Sequence, residues 1–501
     1  MSEYDFKTYR LKITVITPLH IGNGREMLRD YDYAVHGGRT WRINENALLE
    51  AQDVEDPRVA QMLARVKPAE LLRPEDFTEG SPYFRYILKG TPKSFAEGAM
   101  LREQIKDVFD HPYLPGTTIK GALRTVLGWH LWEKKGLRPE VSRLGGSPKF
   151  AASGYERDLF GKNPNHDLLR ALQISDSQPL GPAALMLANV RVLTQRGKPG
   201  SPVEVEAIRR DTVIETELKL DTVLFSQWAK ARELYLPNSD ALLNFAEVAR
   251  QYGRHVIQRE LTWAKGLTNG KNVAAHYQSM LEYPLAQNAF FLQLGWGGGW
   301  EQKTFGSRLK RDEGFMRSIL KPRNQGGYDV ARGHQVHNVQ DFPISRRIVM
   351  AYQRNAQGEV TAEIPALPLG WLLVTVTEDG EEIPEPNWRP QVIEEAAPAL
   401  VAQVEVQTPV IPAAKPASQP LIERFESIPK IGDRFRGEVF NQEGRALELF
   451  IPGLDDTVAA AYIAPENNPS SKKYTEGDKV VCEVIGLKQI GRIWQVLCRR
   501  V

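Results

Sequence analysis

Several things are scarce in this 501-residue chain. Its only two cysteines, Cys482 and Cys498, are too few for a disulfide framework or a cysteine-rich zinc site. No run of eighteen apolar residues occurs, so neither a spanning helix nor a membrane partner is expected. The opening MSEYDFKTYR mixes both signs of charge and lacks an apolar segment, unlike a secretory signal. Neither sign dominates the whole: 64 Lys+Arg against 62 Asp+Glu leave +2, so composition alone implies no partner. GxxxxGK[ST] and HExxH are both absent, which excludes a nucleotide P-loop and that zinc motif. The expectation is a cytoplasmic protein with no cofactor and no metal.

What is present is the composition of a globular chain, 42% hydrophobic and 25% charged, long enough for about three domains. Eight prolines fall between Pro384 and Pro420 among Ala, Val, Gln and Glu, which reads as an extended linker. It separates a body from a short tail. In the body, Leu11, Ile13 and Val15 alternate with Lys12 and Thr14, the pattern of a half-buried strand. Arg39–Ile43 reads as a second strand, and Asn44 as the cap of a helix through NALLEAQ. A stronger helix follows Pro115-Gly116, with Thr117 or Thr118 as cap and Ile119, Leu123, Val126 and Leu127 on one face. LMLANVRVL (185–193) reads as a strand and VEVEAIRRDTVIETELKL (203–220) as a strand hairpin. A helical run from Asp240 to Trp263 leads to FFLQLGWGGGW (290–300) and a last strand near Trp371–Val376. The mixture points to α+β, and two ferredoxin-like units fit the length and element order.

Two motifs suggest anion binding. HIGNG (20–24) is a glycine turn, offering His20, Gly22 and Gly24. LPGTTIKGALR (114–124) places Lys120 and Arg124 four apart near a helix N-terminus, where free amides and the helix dipole favour a phosphate. The segment from Lys303 to Arg347 holds ten Lys/Arg against four acids, +6 in a chain of +2. Lys303, Arg308, Lys310, Arg346 and Arg347 are its candidates. Gly295, Gly297, Gly298 and Gly299 precede it, flanked by Trp296 and Trp300. Glycines permit close backbone approach to phosphate, and Trp and Arg planes stack bases. An RNA-binding segment is expected, its affinity falling steeply with salt.

TPLHIGNG (17–24), YLPGTTIKGALR (113–124), DLFG (158–161) and LQISDS (172–177) come in an order that resembles the RAMP superfamily of CRISPR-associated proteins. GWGGGWEQKTFG (295–306), FPISRR (342–347) and PLGW (368–371) resemble the branch that ends the subunit filament of type III-A effectors. The resemblance implies two ferredoxin-like (RRM-like) domains, at 1–200 and 201–383, ahead of the linker at 384–420. It also implies a non-catalytic role: holding the 3′ part of a guide (cr)RNA, capping the filament and supporting guide maturation. The partners it implies are guide RNA, target RNA, backbone effector subunits and guide-trimming nucleases. The competing expectation is a metal-independent endoribonuclease, with Asp30, Asp32 and His20 as candidate catalytic groups. Asp32 alternates with Tyr31 and Tyr33 and reads rather as a turn-bonded residue. Asp176 reads as part of an Asx or ST turn. His334 and His337 (HQVH) make a weak metal pair.

The tail, 421–501, carries five short strand candidates, the number in an OB-type barrel. IGDRFRGEVFNQEG and YTEGDKVVCEVIGLKQIGRIWQVLCRR are similar to the S1 RNA-binding domain. Phe435, Phe440, Phe450 and Tyr462 are the rings available to RNA. Its charge is balanced, 12 basic against 12 acidic residues, so docking on protein also stays open.

Overall fold

The computed structural model describes residues 6–52, 55–93, 99–195, 200, 202–354, 360–378 and 388. Towards the C-terminus it describes 422–425, 428–430, 433–443, 446–454, 459–464, 474–475, 478–490 and 493–500. The chain divides into two compact units, Met1–Ala402 and Gln403–Val501. Apart from Trp388, the proline-rich stretch lies outside the described residues.

The strands of the first unit are, in chain order, β1 (Phe6–Val15), β2 (Gly22–Leu28), β3 (Tyr33–His36), β4 (Arg39–Ile43) and β5 (Phe84–Lys89). They continue with β6 (Met100–Gln104), β7 (Leu172–Ile174), β8 (Leu185–Thr194), β9 (Pro202–Ile208) and β10 (Val213–Asp221). The last are β11 (Ala289–Gln293), β12 (Ser345–Arg354), β13 (Val360–Pro368) and β14 (Trp371–Glu378). A five-stranded sheet runs β11-β14-β1-β10-β7, with every neighbouring pair antiparallel. The second sheet runs β2-β6-β9-β8-β5-β4-β3, with β12 paired to β8 and β13 to β12. Mixed α+β architecture is therefore as expected.

β1 is the middle strand of its sheet, with Ile13 opposite Ile214 on one side and Val374 on the other. Its outward positions are covered too: Lys12 and Thr14 are buried like Leu11 and Ile13. The half-buried strand of the alternation is thus buried on both faces. The helix Gly116–Lys134 lays Ile119, Leu123, Val126, Leu127 and Leu131 into the same core as β1, joined by the helix Phe245–Lys265. Those positions recur every three or four residues, which makes one apolar stripe.

The hairpin expected over 203–220 does not form. β9 pairs with β8 and β6, whereas β10 pairs with β1 and β7, so the chain crosses from one sheet to the other at 209–212. Alternation identified both strands but contains nothing about their partners. The boundary expected at residue 200 falls between β8 and β9, which are antiparallel neighbours. The five-stranded sheet takes strands from both sides of it. The helical run from Asp240 divides at Asn244 into Ser239–Leu243 and Phe245–Lys265. Asn44 caps the helix Glu45–Glu50 as expected, its side chain accepting from the Ala47 amide.

The second unit is a closed barrel of β15 (Arg434–Glu443), β16 (Ala446–Phe450), β17 (Ala459–Ile463), β18 (Lys479–Ile490) and β19 (Ile493–Arg500). The strands close in the order β15-β16-β17-β19-β18, and β17 with β19 is the parallel pair. Phe435, Val439, Leu447, Leu449, Val484 and Val496 fill it, with Cys482 and Cys498 as buried free thiols. Phe435, offered above as a ring for RNA, is wholly buried there. Alternation puts Arg436 and Glu438 outside and Phe435 and Val439 inside.

Candidate nucleic-acid interface

Backbone bonds join three segments far apart in sequence. After β1, the Pro18 carbonyl accepts from the Gly370 amide at 2.8 Å, and the Gly370 carbonyl accepts from Leu294 at 2.8 Å. The His20 carbonyl accepts from the Trp296 amide at 3.0 Å. HIGNG, the PLGW turn and the glycine-rich loop are thus knitted at one place. The glycines make this possible. A β-carbon on Gly295, whose φ is +69°, would stand 2.2 Å from the His20 carbonyl oxygen. One on Gly297 would stand 2.0 Å from that of Leu369. These two glycines admit neighbouring protein backbone, where the sequence suggested phosphate.

Beside this junction lies a cleft of about 750 Å³. His20, Gly22, Gly24 and Arg25 line it from the first segment, and Thr117, Thr118, Gly121 and Thr125 from the Gly116 helix. Gly295, Trp296, Gly298, Gln302 and Lys303 line it from the glycine-rich loop, and Arg102 from β6. The three sequence motifs therefore converge. Gly299, with φ +60°, stands nearer Arg347.

His20 is buried, with Nδ1 2.6 Å from the Glu206 carbonyl, so that nitrogen donates. Burial pushes its pKa down to about 4, leaving a neutral imidazole. Beneath it the Glu206 carboxylate accepts from Tyr86 Oη at 2.6 Å, the Gln104 amide at 3.0 Å and Lys106 Nζ at 2.5 Å. Lys106 also reaches Glu103 at 3.2 Å, and Asn23 donates to Glu103 at 2.8 Å. Burial alone would raise the Glu103 carboxyl, but Asn23 and Lys106 hold it below its ordinary range. The floor of the cleft is thus a buried polar network in which two carboxylates, Glu206 and Glu103, share the Lys106 ammonium.

The walls are different. Trp296 meets His20 edge-on at 6.2 Å, and the guanidinium groups of Arg102 and Arg347 lie 4.9 and 5.4 Å from its ring centre. Arg102 has Glu26 at 3.4 Å. Burial, then the neighbouring Arg347, lowers the Lys303 pKa. Among the described residues, neither Lys303 nor Arg25 has a carboxylate within ion-pair distance, and Arg347 Nε has no hydrogen-bond partner. Two guanidinium groups therefore flank one aromatic ring, and the acids Glu26 and Glu103 line the cleft together with Arg25, Arg102 and Lys303.

Other candidates lie elsewhere. Lys120 donates to the Leu172 carbonyl at 2.7 Å and Arg124 pairs with Asp167 at 2.9 Å, so both point away from the cleft. Arg308 is buried over Trp129 with Glu133 at 2.5 Å, and Lys310 is held by Glu301 at 2.9 Å and the Phe342 carbonyl at 2.6 Å. Burial, with Arg259 and Arg346 nearby, brings Lys310 down to about 7. Arg346 pairs with Glu260 at 2.8 Å. Much of the +6 segment is consumed inside the protein, which a charge count cannot reveal. Conversely, Arg25 and Arg102 were missed. Arg25 follows HIGNG directly, but Arg102 arrives through the pairing of β6 with β2, which no local pattern signals.

Asp30 and Asp32 close the turn between β2 and β3. Asp30 has φ +67°, and Asp32 accepts from the Leu28 amide at 2.7 Å and faces Arg42 at 3.2 Å. Neither lines the cleft. The helix cap is also different from the expected threonines: Pro115 holds the cap position, and Asp176 accepts the Gly116 amide at 2.8 Å. Ser177 Oγ accepts from Leu114 at 2.9 Å. His334 and His337 are exposed, and no group of three or more metal-binding side chains occurs among the described residues. No described helix is long and apolar enough to cross a membrane.

The family model of the RAMP superfamily matches residues 12–302. The CRISPR system protein Csm5 of Methanocaldococcus jannaschii is 24% identical over 392 residues, covering 74% of this chain and 90% of the relative. Csm5 of Streptococcus thermophilus is 26% identical over 247 residues, 44% of this chain and 65% of the relative. A chain in a cryo-EM structure of a Csm–crRNA–target RNA ternary complex of a type III-A CRISPR-Cas system superposes with a TM-score of 0.50 at 20% identity. That match covers 73% of this chain and all of the other, a likeness of fold.

Proposed function

Because the chain belongs to the RAMP superfamily, we propose that it is an RNA-holding subunit of a type III-A Csm effector, working in the cytoplasm. In this reading it ends the row of backbone subunits and holds the 3′ part of the guide RNA. Target RNA, the neighbouring subunits and guide-trimming nucleases are its further partners. The observation that carries the reading is the convergence of HIGNG, the Gly116 helix and the glycine-rich loop on one cleft walled by Arg25, Arg102, Trp296 and Lys303. A guide nucleotide would stack at Trp296, with phosphates at the cations and amides around it. His20 and the network below would supply a rigid floor.

The five-stranded sheet carries the reading of a ferredoxin-like unit: β14, β1, β10 and β7 lie side by side, with the Gly116 and Phe245 helices between them in sequence. The C-terminal barrel would act as an S1-like OB module and a second, weaker RNA site. Phe440 and Phe450, 4.5 Å apart and tilted by 34°, are its platform.

The test is binding of labelled single-stranded guide-like RNA across a salt series, with and without EDTA. Intact RNA and affinity falling with a slope of several cations are expected. Lys303→Glu with Arg25→Glu should weaken binding ~10-fold or more and lower the slope by about two. Cleavage that persists in EDTA and vanishes in His20→Ala would replace this reading with a ribonuclease.

A further inference from the structure

Residues 105–115 join β6 to the Gly116 helix, and their tip presents Val108 and Phe109, 87% and 75% exposed. No other large hydrophobic side chain among the described residues is as exposed. Such a pair at the end of a loose loop would mean little, but this loop is tied at every level. Asp107 Oδ1 accepts from the amides of both Phe109 and His111 at 2.9 Å. The Asp107 amide donates to the His111 carbonyl at 3.0 Å, and Lys106 bridges to Pro112. Asp110 takes the left-handed conformation, φ +65°, and its carboxylate grips Arg85 through two bonds of 2.6 and 2.7 Å. The Ile105 amide is held by the Ile21 carbonyl and that of Leu114 by Ser177. The loop has its final shape before anything touches it.

Preorganised apolar side chains lose little entropy when they are covered, which is the character of an interface anchor. Charge selects the kind of partner. Lys106 is buried and committed to Glu206, Arg85 is committed to Asp110, and beside the tip stands the partly buried Asp107 carboxylate with His111 Nδ1 at 3.5 Å. An RNA backbone would find both Lys106 and Arg85 already paired, whereas a protein pocket with cationic or amide donors at its rim would meet the Asp107 carboxylate. We propose that Val108 and Phe109 form a docking knob that enters an apolar, basic-rimmed pocket on an adjoining protein subunit of the effector. This rests on the effector-subunit reading above.

The test uses the full chain and a type III-A Csm particle reconstituted from its other subunits with guide RNA. The double variant Val108→Ser, Phe109→Ser alters only exposed side chains. The expected result is ~30-fold or greater weakening of its binding to the particle, with guide-RNA affinity and melting temperature unchanged. Unchanged binding to the particle would overturn the knob and leave the effector reading intact. Loss of RNA affinity would make the tip an RNA wedge, and loss of self-association would make a second copy its occupant; either overturns the proposal. A wild-type chain that does not join the particle would overturn the effector reading and the proposed partner together.

Discussion

Asp176 accepts the backbone amide of Gly116 at 2.8 Å, so the first turn of the longest helix in the first half is capped by a residue sixty positions downstream. Replacing it with Ala should cost about 1 kcal/mol, within the range for a lost cap. Asn at 176 should recover most of that loss. Urea unfolding of the two variants distinguishes a cap from a bystander. Because Thr117 and Thr118 line the cleft from that same turn, guide-RNA affinity should fall with the Ala variant as well.

Two glycines of the same cleft should respond in opposite directions. Gly295→Ala meets the His20 carbonyl at 2.2 Å in a left-handed conformation, so the junction must open. A loss of about 1–3 kcal/mol is expected, with reduced RNA binding. At Gly121, in the helix interior, a β-carbon meets nothing within 4 Å. Gly121→Ala should therefore stabilise by up to about 1 kcal/mol. Thermal denaturation gives both signs.

Acid should destabilise the first unit in a defined window. His20 is held near a pKa of about 4 by burial, against 6.5 for the free side chain, so the unfolded chain takes up the proton first. Its contribution is complete above about pH 6.5 and is lost as pH falls towards about 4, to a maximum of about 3 kcal/mol. His255, also brought to about 4 by burial, acts in the same direction. Denaturant unfolding at pH 7.5, 6 and 5 should show falling stability, with a flatter dependence in His20→Gln. A flat profile for the wild type would contradict the buried neutral imidazole.

The Arg346–Glu260 pair, 2.8 Å apart and mostly shielded from water, separates structural cations from those proposed to face RNA. Arg346→Gln leaves a buried carboxylate unpaired, and a loss of about 3–5 kcal/mol is expected. Lys303→Gln should cost little stability and act on RNA affinity. A stability scan beside a binding assay resolves the two.

Trp388 gives a fifth test. It packs on Tyr283 at 5.1 Å, Phe291 at 5.5 Å and His276 at 6.1 Å, within the main core. Ending the chain at residue 383, the boundary that the proline run suggests, removes this ring. About 3 kcal/mol or more should be lost relative to the full chain, as for other buried tryptophans. Trp388→Ala in the full chain should reproduce most of it.

The sequence was legible where one local pattern decides one outcome. The alternation at Leu11, Ile13 and Val15, the stripe from Ile119 to Leu127 and five strand-sized runs in the tail all became the expected elements. The motifs HIGNG and GWGGGW also led to the cleft. Pairing was not legible: β9 and β10 have the same alternation, yet they enter different sheets. Charge was misleading for a related reason. Lys310 and Arg346 look available in the sequence, but Glu301 and Glu260, brought up by folding, neutralise them. Arg102 became visible only once β6 was placed beside β2.

The place of β1 bears on how the protein is made. Its two neighbours, β10 and β14, begin at Val213 and Trp371, so β1 leaves the ribosome well ahead of both and must wait for its sheet to close. Until Glu378 has emerged, one edge of that apolar strand is open, and neither half of the body can finish folding ahead of the other. Nascent chains stalled before residue 371 should therefore depend on chaperones far more than chains released after Trp388.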